Sequence, residues 1–149
     1  MCIRDSTSAQ AEARLAAIGF VDPHGALAHI AALSQGMSRR STIQRHLLPV
    51  LLPWFASGPD PDGGLLAFRR ISESLGDAHW FLRMLRDSKE AAYRLTQALS
   101  GSHFIVELLD RNPEAVGWLE NDADLRPRSW DALREETSAT VLRLSLIHI

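Results

Sequence analysis

The feature that most constrains this chain is an internal repeat of 24 residues. "LGDAHWFLRMLRDSKEAAYRL" at 75–95 lies over "LSGSHFIVELLDRNPEAVGWL" at 99–119 without a gap. Leu75 meets Leu99, His79 meets His103, Leu85 meets Leu109, Glu90 meets Glu114, Ala91 meets Ala115 and Leu95 meets Leu119. Trp80 faces Phe104, and Met84 faces Leu108. The shared unit reads as a short helix, a cap and a second helix. Ser88 and Asn112 hold the same capping position, and Pro113 sits where a first helical residue needs no amide hydrogen. One such unit cannot bury its apolar stripe alone, so the pattern predicts two stacked units with Leu85 and Leu109 at equivalent buried positions.

The rest of the chain carries helix punctuation and almost no strand signal. "SAQAEARLAAIG" puts Ala11, Leu15 and Ile18 on one face and stops at Gly19. Asp22-Pro23 restarts a helix, with the Asp22 carboxylate accepting from a first-turn amide; Leu27, Ile30 and Ala31 form its expected buried stripe. "SRRSTIQRHLLPVLLPWF" reads as a third helix with Ile43, Leu47, Val50 and Leu51 inward. Pro49 and Pro53 each remove an amide from its ladder and predict a kink or break. "SGPDPDGG" at 57–64 is the clearest loop, the expected boundary between a helical lobe at 7–56 and another at 65–143. A helix with Leu65, Phe68, Ile71 and Leu75 follows it. The expected fold class is all-α: eight or nine short helices in a bundle or helical array, including the tandem repeat at 75–95 and 99–119.

The two ends read differently. "MCIRDS" at 1–6 holds the single cysteine, and "LSLIHI" at 144–149 alternates in a strand-like way. Both resemble translated sequencing adaptor and are expected to be non-native tails on an excised piece, left out of fold reasoning. Residues 7–143 contain no cysteine, which excludes a disulfide scaffold and a cysteine-based zinc site there. A formal net charge of -2 leaves no basic surplus to recruit nucleic acid. No apolar run reaches the roughly 18 residues that span a bilayer, since "LLPVLLPWFA" is short and carries two prolines. No nucleic-acid or membrane partner is expected.

Four groups of residues invite a chemical reading. Arg39, Arg40, Arg45 and His46 could mark an anion site at a helix start, but with no Gly-rich loop beside them a solvated basic face is favoured. Asp60 and Asp62 form a D-x-D, yet a calcium loop needs more oxygen ligands and a closing Glu, and turn chemistry explains them better. Gly101-Ser102, followed by Asp122 and Asp124, echoes nucleotidyltransferase active sites. In the repeat, however, Gly101-Ser102 takes the place of Asp77-Ala78 at a helix start, and the two acids lie beyond two helices and a proline. A helix cap and an acidic connector are the better reading. His24 with His29, and His79 with His103, lack metal-site spacing, and repeat equivalence suggests packing for the latter pair. Trp54, Trp80, Trp118 and Trp130 read as core or interface anchors. No residue is assigned a catalytic, cofactor-binding or metal-ligating role.

"RLAAIGFVDPHGALAHIAALSQGMSRRSTIQRHLLPVLLPWFASGPDPDGGLLAFRRISESLGDAHWFLRMLRDS", followed by "FIVELLDRNPEAVGWL", closely resembles the bifunctional glutamine-synthetase adenylyltransferase/adenylyl-removing enzymes in their actinobacterial form, over 8–143. In that family two nucleotidyltransferase domains, one attaching AMP to glutamine synthetase and one removing it, are separated by helical segments. The resemblance implies that 7–56 follows the adenylyl-removing domain and that 65–143 leads into the adenylyl-attaching one. The family's active sites are marked by G-S-D-x-D and D-x-R-L-R-P. Neither is present, although Asp124-Leu125-Arg126-Pro127 partly echoes the second. No catalytic position carries over, and the segment is expected to be inactive alone. The resemblance assigns ATP and Mg2+, glutamine synthetase, the nitrogen-signalling PII protein and a cytoplasmic location to the parent enzyme. The rival reading is a free-standing helical module that binds a protein groove or peptide. A helix-turn-helix DNA binder is disfavoured by the near-neutral charge.

Overall fold

The computed structural model describes residues 3–76 and 78–147. The readings of Met1, Cys2, Asp77, His148 and Ile149 lie outside the described residues. The elements run α1 (Ile3–Ile18), α2 (Pro23–Ser34), α3 (Arg39–Ala56), α4 (Pro61–Ser74), α5 (His79–Asp87), α6 (Lys89–Gly101), α7 (His103–Arg111), the 3-10 helix η1 (Pro113–Glu120) and α8 (Trp130–Ile147). The fold is all-α, with no strand among the described residues. Two of the helices are long rather than short: α3 and α8 have 18 residues each.

Helix starts follow local chemistry. Asp22 accepts from the Gly25 amide, with Pro23 opening α2. Asp60 caps α4 in the same way through Gly63, and Ser88 caps α6 through Ala91. Each side-chain oxygen satisfies an amide that the first turn leaves without a partner. Gly19 closes α1 at φ +126°, a conformation that disfavours a side chain.

The apolar stripes differ in part from expectation. Leu15 is buried, but Ile18 is exposed, and Phe20 beyond the turn enters the core instead. In α2 the buried residues are Ala26 and Leu33, flanked by the half-buried Leu27 and Ile30, while Ala31 faces outward. In α3 the buried line is Ser41, Gln44, Leu48, Leu51 and Phe55; Ile43 and Leu47 flank it and Val50 is exposed. This helix runs through Pro49 and Pro53 without breaking. Both prolines are exposed, so they lie on the outer side of the helix rather than in the core.

Element α4 is the centre of the core. Leu65, Phe68 and Ile71 are essentially inaccessible, Leu75 closes the stripe, and Phe68 packs on Phe55 with ring centroids 5.9 Å apart. The connector before it is shorter than the 57–64 loop read from the sequence, because α4 already begins at Pro61. It is also pinned: the Asp60 amide donates to the Ser100 carbonyl at 3.1 Å, and a Cβ on Gly64 would stand 3.0 Å from the Ser100 Cα. Residues on both sides of the connector share one apolar cluster, with α2 and α3 packing on α4 and α6.

The repeat is present but asymmetric. Leu85 and Leu109 are both buried, at 2% and 8% exposure. Around Leu85, Phe81, Leu82 and Met84 are buried as well, whereas Leu109 is the single buried residue of α7 and Phe104, Ile105 and Leu108 are exposed. Asn112 does not repeat the role of Ser88: its side chain makes no capping hydrogen bond, and the element it precedes is 3-10 rather than α. The units stack where Trp80 lies over Gly117, 3.5 Å from where a Cβ would be, with η1 against α6. The last helix, α8, buries no residue. Residues 144–147, read as strand-like, belong to it.

Candidate functional site

The carboxylates singled out by the sequence are separately engaged. Asp60 caps α4 and lies 3.8 Å from His103 Nε2. Asp62 accepts from the Val21 amide at 2.8 Å and the Asp22 amide at 3.1 Å, tying the α1–α2 turn to α4. Asp122 pairs with Arg94, whose other terminal nitrogen donates to the Leu119 carbonyl at 3.0 Å. It is therefore an ion-pair partner that fastens the end of η1 to α6, rather than a free connector residue. Asp124 accepts from the Asn121 side-chain amide at 3.3 Å. Ser102 begins α7 and accepts from the Ile105 amide, so Gly101-Ser102 is a helix junction, as the repeat implied. Among the described residues no group of three or more His, Cys, Asp or Glu is arranged to hold a metal ion.

The histidines and tryptophans divide. His103 and His79 are exposed, so matched repeat positions do not make them packing residues. His24 is exposed and its Nδ1 lies 3.0 Å from Glu12; that hydrogen bond raises its pKa above the ordinary histidine value. Trp54 meets Tyr93 edge-on at 5.4 Å, and Trp54 and Trp80 pack on the core. Trp118 and Trp130 are largely exposed.

The basic residues assemble into something the sequence did not disclose. The start of α3, the α4–α5 turn and α5 enclose a cleft of about 580 Å³. Arg39 and Arg40 enter it from the first turn of α3; His79, Arg83 and Arg86 enter from α5, at the i, i+4, i+7 spacing of one helical face. Ile43, Trp80 and Leu82 supply its apolar lining. Arg86 is held by Asp87 through hydrogen bonds of 2.6 and 3.0 Å, which raise the arginine's pKa and keep the Asp87 carboxyl below its usual range. Arg39, Arg40 and Arg83 make no ion pair among the described residues. The other two basic residues of the sequence motif lie outside the cleft: Arg45 donates to the Gly36 and Ser41 carbonyls and so closes the α2–α3 turn, and His46 is exposed. Of the α5 stripe, the sequence singled out neither Arg83 nor Arg86. Its convergence with α3 is tertiary.

Fold and site together define an all-α helical scaffold with a tandem helix pair and a cationic cleft. No family model matches the chain, and no solved structure matches it. Among curated proteins it is 67% identical over 137 residues to the bifunctional glutamine synthetase adenylyltransferase/adenylyl-removing enzyme of Leifsonia xyli, covering 92% of this chain and 14% of that protein. It is 49% identical over 135 residues to the protein of that name from Streptomyces coelicolor, covering 89% of this chain and 14% of the relative. The Mycolicibacterium smegmatis protein is 44% identical over 138 residues, covering 85% and 14%. The chain is homologous to one segment of the bifunctional glutamine synthetase adenylyltransferase/adenylyl-removing enzymes and spans about one seventh of their length.

Proposed function

We propose that this chain is the helical segment between the two nucleotidyltransferase domains of an enzyme that attaches AMP to glutamine synthetase and removes it. The observation that carries this reading is the 67% identity across 92% of the chain to a protein bearing that name. In this reading 7–56 follows the adenylyl-removing domain and 65–143 leads into the adenylyl-attaching one. The segment acts as a scaffold and is catalytically silent. ATP and Mg2+ serve the parent enzyme. Metal-assisted nucleotidyl transfer needs carboxylates converging on paired ions roughly 3.5 to 4 Å apart. Asp122 and Asp124 instead face Arg94 and Asn121, so they do not fit such a centre. Glutamine synthetase and the nitrogen-signalling PII protein are partners through the parent, which acts in nitrogen regulation in the cytoplasm without nucleic acid or membrane.

Two experiments test this. Reading the source DNA on both sides should reveal flanking G-S-D-x-D motifs; an in-frame stop soon after residue 143 would instead favour a free-standing binding module. Incubating the chain with glutamine synthetase, magnesium and labelled ATP should leave the synthetase unlabelled, and phosphate should release no AMP from the adenylylated form. Label or release above the no-protein control overturns the silent assignment.

A further inference from the structure

We propose that the cleft between the start of α3 and α5 binds a small phosphorylated molecule whose non-phosphate part is apolar or planar. The phosphoryl oxygens are held by Arg39, Arg40 and Arg83, and the body rests on Ile43, Leu82 and Trp80. This site is independent of the interdomain reading and of any chemistry in the parent.

Charge supplies the first argument. The chain is acidic overall, and elsewhere it pairs Arg69 with Glu73, Arg70 with Asp110, Arg94 with Asp122 and Arg128 with Glu136. In the cleft, Arg39, Arg40 and Arg83 line one recess and make no ion pair among the described residues, and the nearest carboxylate, Asp87, is already hydrogen-bonded to Arg86. Several positive charges lining one recess favour a multiply charged anion there. Guanidinium forks match phosphate geometry in a bidentate manner.

The second argument is the helix end that opens into the cleft. Ser38 spends its hydroxyl on the Ser41 amide, which leaves the first amides of the 18-residue α3 available at its positive end. Third, Arg40 is placed by contact: a Cβ on Gly76 would stand 2.6 Å from Arg40 Nη1, so the guanidinium occupies space that only glycine leaves open. Last, about 580 Å³ with a mixed apolar and cationic lining is a small-molecule recess rather than a flat surface. A bare inorganic ion would leave Ile43, Trp80 and Leu82 unused. A monocarboxylate would leave most of the positive charge uncompensated.

The test is calorimetric titration of the full 149-residue chain with phenyl phosphate, with pyrophosphate, phenylacetate and an octaglutamate peptide as comparators. Phenyl phosphate should bind one to one, more tightly than pyrophosphate or phenylacetate, and more weakly as salt rises. Arg40→Gln with Arg83→Gln should weaken it at least about a hundredfold, since each removes a charge-assisted contact. Arg40 is half-buried, so a thermal melt reports whether the fold is kept; Arg83→Gln alone, at an exposed position, should still weaken binding about tenfold. Gly76→Ala should weaken binding several-fold with the melt unchanged, by displacing Arg40. Arg134→Gln, on α8, should leave binding unaltered. Absence of phosphate-dependent heat, or affinity unchanged in the Arg83→Gln chain, overturns the proposal. Tighter binding of octaglutamate than of phenyl phosphate also overturns it, reassigning the cleft to an acidic protein segment.

Discussion

Truncating Leu85 and Leu109 to alanine should cost different amounts, although the two residues are sequence equivalents. Removing three carbons from a buried leucine forfeits about 2.4 kcal/mol of transfer energy at ~0.8 kcal/mol per methylene. If neighbours cannot close the void, a residual cavity of about 70 Å³ adds ~1.7 kcal/mol at ~24 cal/mol per Å³. Leu85 sits on a helix whose Phe81, Leu82 and Met84 are buried as well, so its surroundings are held from several sides. The full cost of about 4 kcal/mol is expected there. On α7 only Leu109 is buried, with Phe104, Ile105 and Leu108 exposed around it. That helix can settle into the space, and the cost should fall to about 2.5 kcal/mol. Urea unfolding of both variants, with unchanged slope as the check on two-state behaviour, measures the difference. Equal costs, or a larger one at Leu109, would refute the claim that the second unit is the looser.

Ser88→Ala should destabilise by about 1 kcal/mol through loss of the α6 cap, whereas Asn112→Ala should change stability by less than about 0.5 kcal/mol, read from thermal melts. Asp62→Ala frees the Val21 and Asp22 amides and should cost about 1 kcal/mol, with faster amide exchange confined to the α1–α2 turn. By NMR titration His24 should titrate above the ordinary histidine value, and Glu12→Gln should return it there. Because the folded-state pKa is raised, the His24–Glu12 tie is fully present below the ordinary value of about 6.5 and lost as pH rises through the raised one. Replacing both Asp122 and Asp124 by Ala in a full-length relative should cost at most about 1 kcal/mol, the usual worth of an exposed pair, with adenylyl transfer and removal retained. A hundredfold drop in either rate with the fold intact would make these acids part of an active site.

Local chemistry, written in the sequence, determined the helices and where they begin. Asp22-Pro23 and Ser88 each supply an oxygen to a first-turn amide, an interaction that spans three residues and needs no distant partner; Asp60-Pro61 does the same, although the stretch around it read as loop. The period of Leu65, Phe68, Ile71 and Leu75 named the most buried face for the same reason, since one helix and its C-cap residue carry the whole stripe. What the sequence could not determine is which side of a helix finds a neighbour. Ala31 and Val50 look as apolar as Ala26 and Leu51, and only the packing of α2 and α3 on α4 and α6 separates them. The repeat shows the same division: equal residues were placed in unequal surroundings, because α5 packs on α3, α6 and η1 with most of its apolar residues buried, while α7, packed on α4, α6 and η1, leaves Phe104, Ile105 and Leu108 bare. The cleft lies wholly on the tertiary side. Arg40 and Arg83 are 43 positions apart in the chain, and like charges so distant in sequence carry no mutual signal until α3 and α5 pack and bring their electric fields to one place.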